Sequence, residues 1–413
     1  MAKVPFVTPV FALALTLALT LPPALLAADW PNIHGPNRDN HSAETGLNWA
    51  WKDGPPVAWR LDVGAGFAGV AVSGGSVFLF HRVNAEEVLT ALDPATGKEK
   101  WKFAARTRYV DDFGFDDGPR CVPVVSGGRV FALGANGDLH AVETATGKKL
   151  WHRNLLADYK APKGYFGVGA GPIVIADRLL VNVGAKGAGI VAFDPATGKE
   201  LWKATDDPPG YAAPAVIDLG GKLHAAFLTR GGLVVVEPVS GAVKFSKPWR
   251  SRLDASVNAA APVVRKDELL LTVSYGAGAV LLKAKAGEWD EVWTNDRSLS
   301  SHYNTPVLVG DHLYGVHGRQ EGGGAQLRCV EWKTGEVKWT VERFGVASLL
   351  AVDGGLLAVR EGGELVRFEA NPQAFKETAR AKVLDGTVRA APALSDGRLF
   401  LRDEKRLVCV KLK

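Results

Sequence analysis

The stretch ALDPATGKEKW (Ala91 to Trp101) returns as AVETATGKKLW (Ala141 to Trp151) and as AFDPATGKELW (Ala192 to Trp202). Eroded copies follow as VEPVSGAVKF (Val236 to Phe245), KAKAGEWDEVW (Lys283 to Trp293) and VEWKTGEVKW (Val330 to Trp339). Their turn glycines, Gly97, Gly147, Gly198, Gly241, Gly287 and Gly335, stand 50, 51, 43, 46 and 48 residues apart. A period of this size, carried by strand and turn signals, points to a β-propeller. Where the turn reads Asp-Pro-Ala-Thr-Gly-Lys, Pro presets φ, Gly supplies a positive φ, and Asp and Thr bond nearby amides.

Between these phrases lies a second recurring unit: a short strand, a tight turn, then a second apolar strand. CVPVVSGGRVFAL (Cys121 to Leu133), AAPVVRKDELLLTV (Ala260 to Val273) and AAPALSDGRLFLR (Ala390 to Arg402) are examples. Pro sits near the strand start, where a missing amide hydrogen is tolerated. Counting AGVAVSGGSVFLF (Ala68 to Phe80) and SLLAVDGGLLAV (Ser348 to Val359), which lack the Pro, there are eight openings. The predicted fold is therefore all-β: an eight-bladed propeller of four-stranded antiparallel blades over residues 55–413. The last copy stops one strand short. PPVAWRLDV (Pro55 to Val63) places Trp59 like a repeat-end Trp and is expected to complete that blade, which removes an open edge. The other repeat-end aromatics are expected to pack between neighbouring blades.

The chain has 413 residues, 47% of them hydrophobic, and a net charge of only +5. No basic run with interleaved aromatics occurs, so nucleic acid is not an expected partner. Lys3 and the apolar stretch Phe11 to Leu21, too short to span a bilayer, read as a signal peptide over residues 1–28. Residues 29–54 form a leader segment, and the mature chain is expected in the periplasm or secreted, without a stable membrane span and as a monomer. The three cysteines fall in slots that other copies fill with Ala, and free buried thiols are expected.

The phrase Ala-x-Asp-x-x-Thr-Gly-Lys-x-x-Trp resembles the tryptophan-docking repeat of the pyrroloquinoline quinone (PQQ) propeller superfamily. That superfamily includes quinoprotein alcohol dehydrogenases and the propeller lipoprotein of the outer-membrane β-barrel assembly machinery. The leader Asp29 to Leu47 and the stretches FGFDDGPR (Phe113 to Arg120), Trp249 to Val264 and SHYNTPV (Ser301 to Val307) are similar to exported PQQ-like repeat proteins of the planctomycete type. The resemblance implies PQQ with Ca²⁺ as a cofactor of the enzymatic branch. The chain departs from both named branches: it has no adjacent cysteine pair, no Cys-x-x-Cys-His haem site and no N-terminal lipidation cysteine.

Propeller ligands sit over the central channel, on loops entering the innermost strands. Taking the residue three before each entry Pro or its equivalent gives a ring: Phe67, Arg120, Gly169, Tyr211, Ala259, Tyr303, Ala347 and Arg389. Arg120 and Arg389 flank Phe67, an arrangement that suits a planar carboxylate-bearing ligand such as PQQ or a sugar acid. The competing reading pairs each Arg with a nearby acid, Asp116 and Asp117 being available to Arg120. Asp111, Asp112 and Asp116 are candidate Ca²⁺ ligands, although the spacing matches no EF-hand. Asp116, Asp117 and His302 are candidate catalytic acid-base groups. Arg252, Asn258 and Asn304 are further ligand-binding candidates, and His317 to Glu321 form a candidate lid. Two functions stay open: a non-catalytic binding or scaffold propeller for a protein, peptide or carbohydrate, or a PQQ/Ca²⁺-dependent oxidoreductase acting on an alcohol or sugar.

Overall fold

The computed structural model describes Met1 and residues 29–413, apart from 255 and 286. The expected signal peptide lies outside the described residues. The chain forms eight four-stranded antiparallel sheets. Blade 1 runs through Val70–Ser73, Ser76–Val83, Glu86–Leu92 and Glu99–Arg106, from the channel outward. Its two middle strands are buried almost throughout, as strands covered on both faces must be, whereas the outermost alternates between exposed and half-buried residues. Burying each large apolar side chain of these middle strands contributes roughly 1.5–3 kcal/mol.

Blade 8 is built as the sequence predicts. Ala393–Ser395, Arg398–Arg402 and Arg406–Lys411 are joined by Val57–Asp62, with Trp59 opposite Cys409. Cys121, Cys329 and Cys409 are free and buried.

The recurring phrase works across blades. In its turn Asp194 Oδ1 accepts from the Ala196 and Thr197 amides and the Thr197 hydroxyl. Gly198 adopts φ +70° there, and a Cβ at that position would stand 2.7 Å from the Trp151 ring of the preceding blade. The Trp151 indole donates to Pro195 O at 3.0 Å. The same contacts join Trp59 to Gly97, Trp101 to Gly147, Trp202 to Gly241 and Trp293 to Gly335. Glycine is needed twice at each turn, for its φ and for the ring pressed against it. Phe245 instead stacks on Trp289, and the Trp339 indole donates to Asn371 O.

Blade 7 breaks the pattern. Arg367 fills the slot of Ala91 and Ala141, and Ala379 stands opposite where others carry Trp. The leader covers this gap. Asp353 of blade 7 accepts from the Leu47 amide and the Trp49 indole, while the Asn48 amide donates to Leu412 O of blade 8. Trp30, Leu47 and Trp59 join residues of blades 7, 8 and 1 in one apolar cluster.

Candidate ligand cavity

Alternating strand direction places the loops entering each innermost strand, and the turns between second and third strands, on one face of the disc. On that face opens a central cavity of about 270 Å³. Seven of the eight ring positions read from the sequence line it: Phe67, Arg120, Gly169, Tyr211, Ala259, Tyr303 and Arg389. At the eighth, Ser348 and Leu349 line the wall in place of Ala347.

Both guanidiniums lie over Phe67, with Arg120 Cζ 5.6 Å and Arg389 Cζ 5.2 Å from its ring centre. Each also has an acid. Arg120 pairs with Asp111 Oδ2 at 3.2 Å and donates to the Asp116 and Gly118 carbonyls. Arg389 pairs with Glu361 at 3.0 Å, and the Tyr303 hydroxyl donates to the same carboxylate oxygen. Burial first, and then the Glu361 charge, push the Tyr303 phenol far above its usual range. The acid partner of Arg120 is thus Asp111, not the Asp116 or Asp117 carboxylate expected from sequence. Asp111 is the loop's organiser: its Oδ1 accepts from the Phe113 amide, and its Oδ2 from the Phe115 and Asp116 amides and from Arg120.

The other acids of this loop are spent separately. Asp116 accepts from Gly66 and Gly118 amides, Asp117 from the Asp111 amide, and Asp112 pairs with Lys163. Among the described residues no three His, Cys, Asp or Glu side chains converge as a metal site. The donor set of this loop therefore does not fit a Ca²⁺ ion.

On the blade 5–6 side, His302 bridges two groups. The Tyr275 hydroxyl lies 2.8 Å from its Nε2, and its Nδ1 lies 2.9 Å from Gln320 Oε1. An amide oxygen only accepts, so the ring carries its proton on Nδ1 and receives the Tyr275 O–H at Nε2. Burial lowers the His302 pKa, which keeps the ring neutral. Gln320 and Glu321 of the predicted lid line the cavity, and Arg319 pairs with Glu321 at 3.0 Å. The blade 2–3 side is aromatic instead. The Phe166 ring centre lies 5.2 Å from that of Phe113, 5.8 Å from that of Phe115 and 5.8 Å from that of Tyr211. Phe113 and Phe115 are each 53% exposed, so this shelf is open to a ligand.

Three candidates stand apart from one another's expected roles. Asn304 lines the cavity and donates to Ser348 Oγ at 3.1 Å. Asn258 does not reach the cavity: it is fully buried, donating to Thr229 O and Trp249 O, where it ties blade 4 to the loop entering blade 5. Arg252 is exposed on that loop, outside the cavity wall.

Sequence reading missed Tyr275, because only the loops entering innermost strands were searched and Tyr275 lies in a second-to-third-strand turn on the same face. It also missed the floor. The leader crosses the far end of the channel, where the Trp30 amide donates to Val72 O, the Val125 amide to Pro31 O and the Ala351 amide to Asn40 O. Ile33, His34 and Asn40 close the cavity from below. Burial, with Arg38 beside it, pushes the His34 pKa down to about 3.

An eight-bladed ring joined by indole-on-glycine contacts, with its cavity under the entry loops, is the architecture of the PQQ-like propellers. A family model described as outer membrane protein assembly factor BamB matches residues 50–155, 85–341 and 323–411, and the chain belongs to that family. Outer membrane protein assembly factor BamB of Burkholderia pseudomallei (strain K96243) is 27% identical over 246 residues, 54% of this chain and 57% of the relative. Quinohemoprotein alcohol dehydrogenase ADH-IIG of Pseudomonas putida is 26% identical over 170 residues, 40% of this chain and 22% of the relative. The chain thus spans less than two thirds of either curated relative. Among solved structures, BamB from Moraxella catarrhalis superposes with TM-score 0.62 at 14% identity, covering 87% of this chain and all of that one. Quinohemoprotein alcohol dehydrogenase from Comamonas testosteroni gives 0.64 at 15%, covering 93% and 80%. At such identities the structural likeness speaks for the fold alone.

Proposed function

We propose that this chain is an exported, monomeric binding or scaffold propeller, without chemistry of its own, that takes a protein or carbohydrate ligand through its loop face. The observation that carries this reading is the division of the cavity into an aromatic shelf and a hydrogen-bonding wall whose acid-base groups are already engaged. Asp116 and Asp117 accept from backbone amides, and His302 is held between Tyr275 and Gln320. A general base must reach substrate with a free lone pair: His302 offers none without rearrangement, and neither Asp116 nor Asp117 lines the cavity. The family match to an assembly factor supports the reading, as does the lack, among the described residues, of a helix long and apolar enough to cross a membrane. The test is a dye-linked assay of purified protein over a panel of alcohols and sugars, with PQQ and Ca²⁺ supplied. No turnover is expected; turnover of any substrate overturns the proposal.

A second reading, a PQQ/Ca²⁺-dependent dehydrogenase, draws on the match to the Pseudomonas putida enzyme and on the two guanidiniums over Phe67. Arg120, Arg389 and Tyr303 would then face the cofactor, but the missing metal donors weigh against it. Calorimetric titration with PQQ, with and without Ca²⁺, separates the two: Ca²⁺-dependent micromolar binding favours the dehydrogenase.

A further inference from the structure

Below the main cavity lies a smaller chamber of about 40 Å³, lined by Asn32, Ile33, His34 and Arg38 of the leader and by Cys121, Val122 and Val124 of blade 2. The two chambers share Arg120, Tyr211, Tyr303, Thr305, Ile33 and His34 as walls, so one ligand can touch both. On this measure a water needs roughly 10–15 Å³, which leaves room for a carboxylate group or a few waters.

Arg38 differs from every other cation around these chambers. Arg120, Arg389 and Arg319 each hold a carboxylate within 3.2 Å. Among the described residues none lies within ion-pair distance of Arg38. The acid beside it in sequence, Asp39, is exposed and accepts from the His41 amide. Burial alone draws the Arg38 pKa down to about 10, still far above neutrality, so the guanidinium stays charged. His34 beside it is neutral and leaves that charge uncompensated. Arg38 is half-buried and lines the chamber with no carboxylate in reach, so the acid group of a ligand can meet it there.

The backbone is bent to hold Arg38 there. Arg38 and Asn40 adopt φ +61° and +60°, a region that residues with a side chain seldom occupy. Bonds from Arg38 N to Gly35 O, from Asn40 N to His34 O and from Asn32 Nδ2 to Gly35 O fix the loop. Gly35 lies against the buried Trp30 ring, where a Cβ would come within 2.8 Å. Strain kept in place by so many contacts, at the residue that lines the chamber, is the pattern of a positioned functional group.

We propose that the lower chamber is a carboxylate subsite, in which the leader's Arg38 receives the acid end of an organic ligand seated in the main cavity. This rests on the main cavity being a ligand site. It transfers the anion-binding role from Arg120 and Arg389, whose charges are met within the protein, to a residue outside the repeats. Guanidinium and carboxylate match as a two-pronged pair, and the neutral His34 imidazole supplies a further N–H.

Calorimetric titration of the purified protein tests this with two acids, galacturonate and benzoate, each beside an uncharged counterpart, methyl galactoside and benzamide. At least one acid is expected to bind tenfold or more tightly than its counterpart, and the pair that shows the gap tells a sugar acid from an aromatic one. In Arg38→Gln the gap closes; in Arg38→Lys, which keeps the charge and loses the fork, part of it remains. Absence of a gap for both acids overturns the proposal, as does a gap that survives Arg38→Gln. Should Arg38→Gln fail to fold, wild-type crystals soaked in sodium bromide decide: anomalous density at the guanidinium is expected, and water alone there overturns it. Dye-linked turnover would sink the non-catalytic reading while leaving the acid preference in place, so the two failures are distinguishable.

Discussion

The joint between blades 2 and 3 and the joint between blades 7 and 8 do the same work with different parts. In the first, Trp151 lies on Gly198 and donates to Pro195 O, all within the repeat's own vocabulary. In the second, Ala379 stands where the indole should be, and Arg367 fills the small-residue slot opposite. Its guanidinium donates to the Val352, Asp353, Leu356 and Phe368 carbonyls, with Trp49 of the leader 4.6 Å above it. The leader then ties blade 7 to blade 8 through Asp353, Leu412 and the Gly397 amide, which donates to Glu44. A repeat can erode where a segment outside the repeat covers the loss.

The largest effect should come from the repeat joint. Trp151→Ala removes a side chain only 9% exposed and its indole bond, and should cost about 3–5 kcal/mol in urea denaturation. Acid should next set the two kinds of joint against each other. Glu87, whose Oε1 accepts from the Ala135 amide across the blade 1–2 joint, has its pKa raised by burial to about 7. The folded state then holds its proton more tightly than the unfolded one, so stability falls as pH rises from about 4.5 to 7, by roughly 2–3 kcal/mol. Glu87→Gln should flatten that slope in melting curves.

His34 of the leader behaves oppositely. Its folded pKa lies below the unfolded one, so stability is present above pH 6.5 and is lost as pH falls toward 3. About 2 kcal/mol should go between pH 6.5 and 5, and His34→Gln should abolish the loss. Amide exchange at Trp30 and Ala351 would show whether the leader lets go first. The smallest effect is expected from Trp49→Ala, about 1–2 kcal/mol, because its ring is only half-buried. A loss as large as that of Trp151→Ala would break the comparison and make the leader an equal member of the ring.

The ring of blades was legible because its signals are local and repeated: each Asp-Pro-Ala-Thr-Gly-Lys turn declares itself within six residues. The cavity wall was legible at one remove, through a fixed offset from the entry Pro. The pairing of Arg120 was not, since Asp111, Asp112, Asp116 and Asp117 are equivalent in composition and only the loop's hydrogen bonding selects Asp111. The leader occurs once, without period, so nothing in Asn32, His34 or Arg38 announced that they would lie under the channel. Arg252 and Asn258 were drawn from a polar run that entered the right blade but spent itself on the surface and on backbone carbonyls.

Pairing Val57–Asp62 with Arg406–Lys411 also orders events in time. A ribosome makes the first strand of that pair long before the second. Until residue 411 has emerged, blade 8 is incomplete, Trp59 lacks its partner strand, and Asn48 has no Leu412 carbonyl to meet. Trp30 and Pro31 can meet Val72 and Val125 as soon as blades 1 and 2 are made, whereas Asn40, Asn48 and the strand Val57–Asp62 wait for blades 7 and 8, so the bottom of the cup is laid from one side and sealed last.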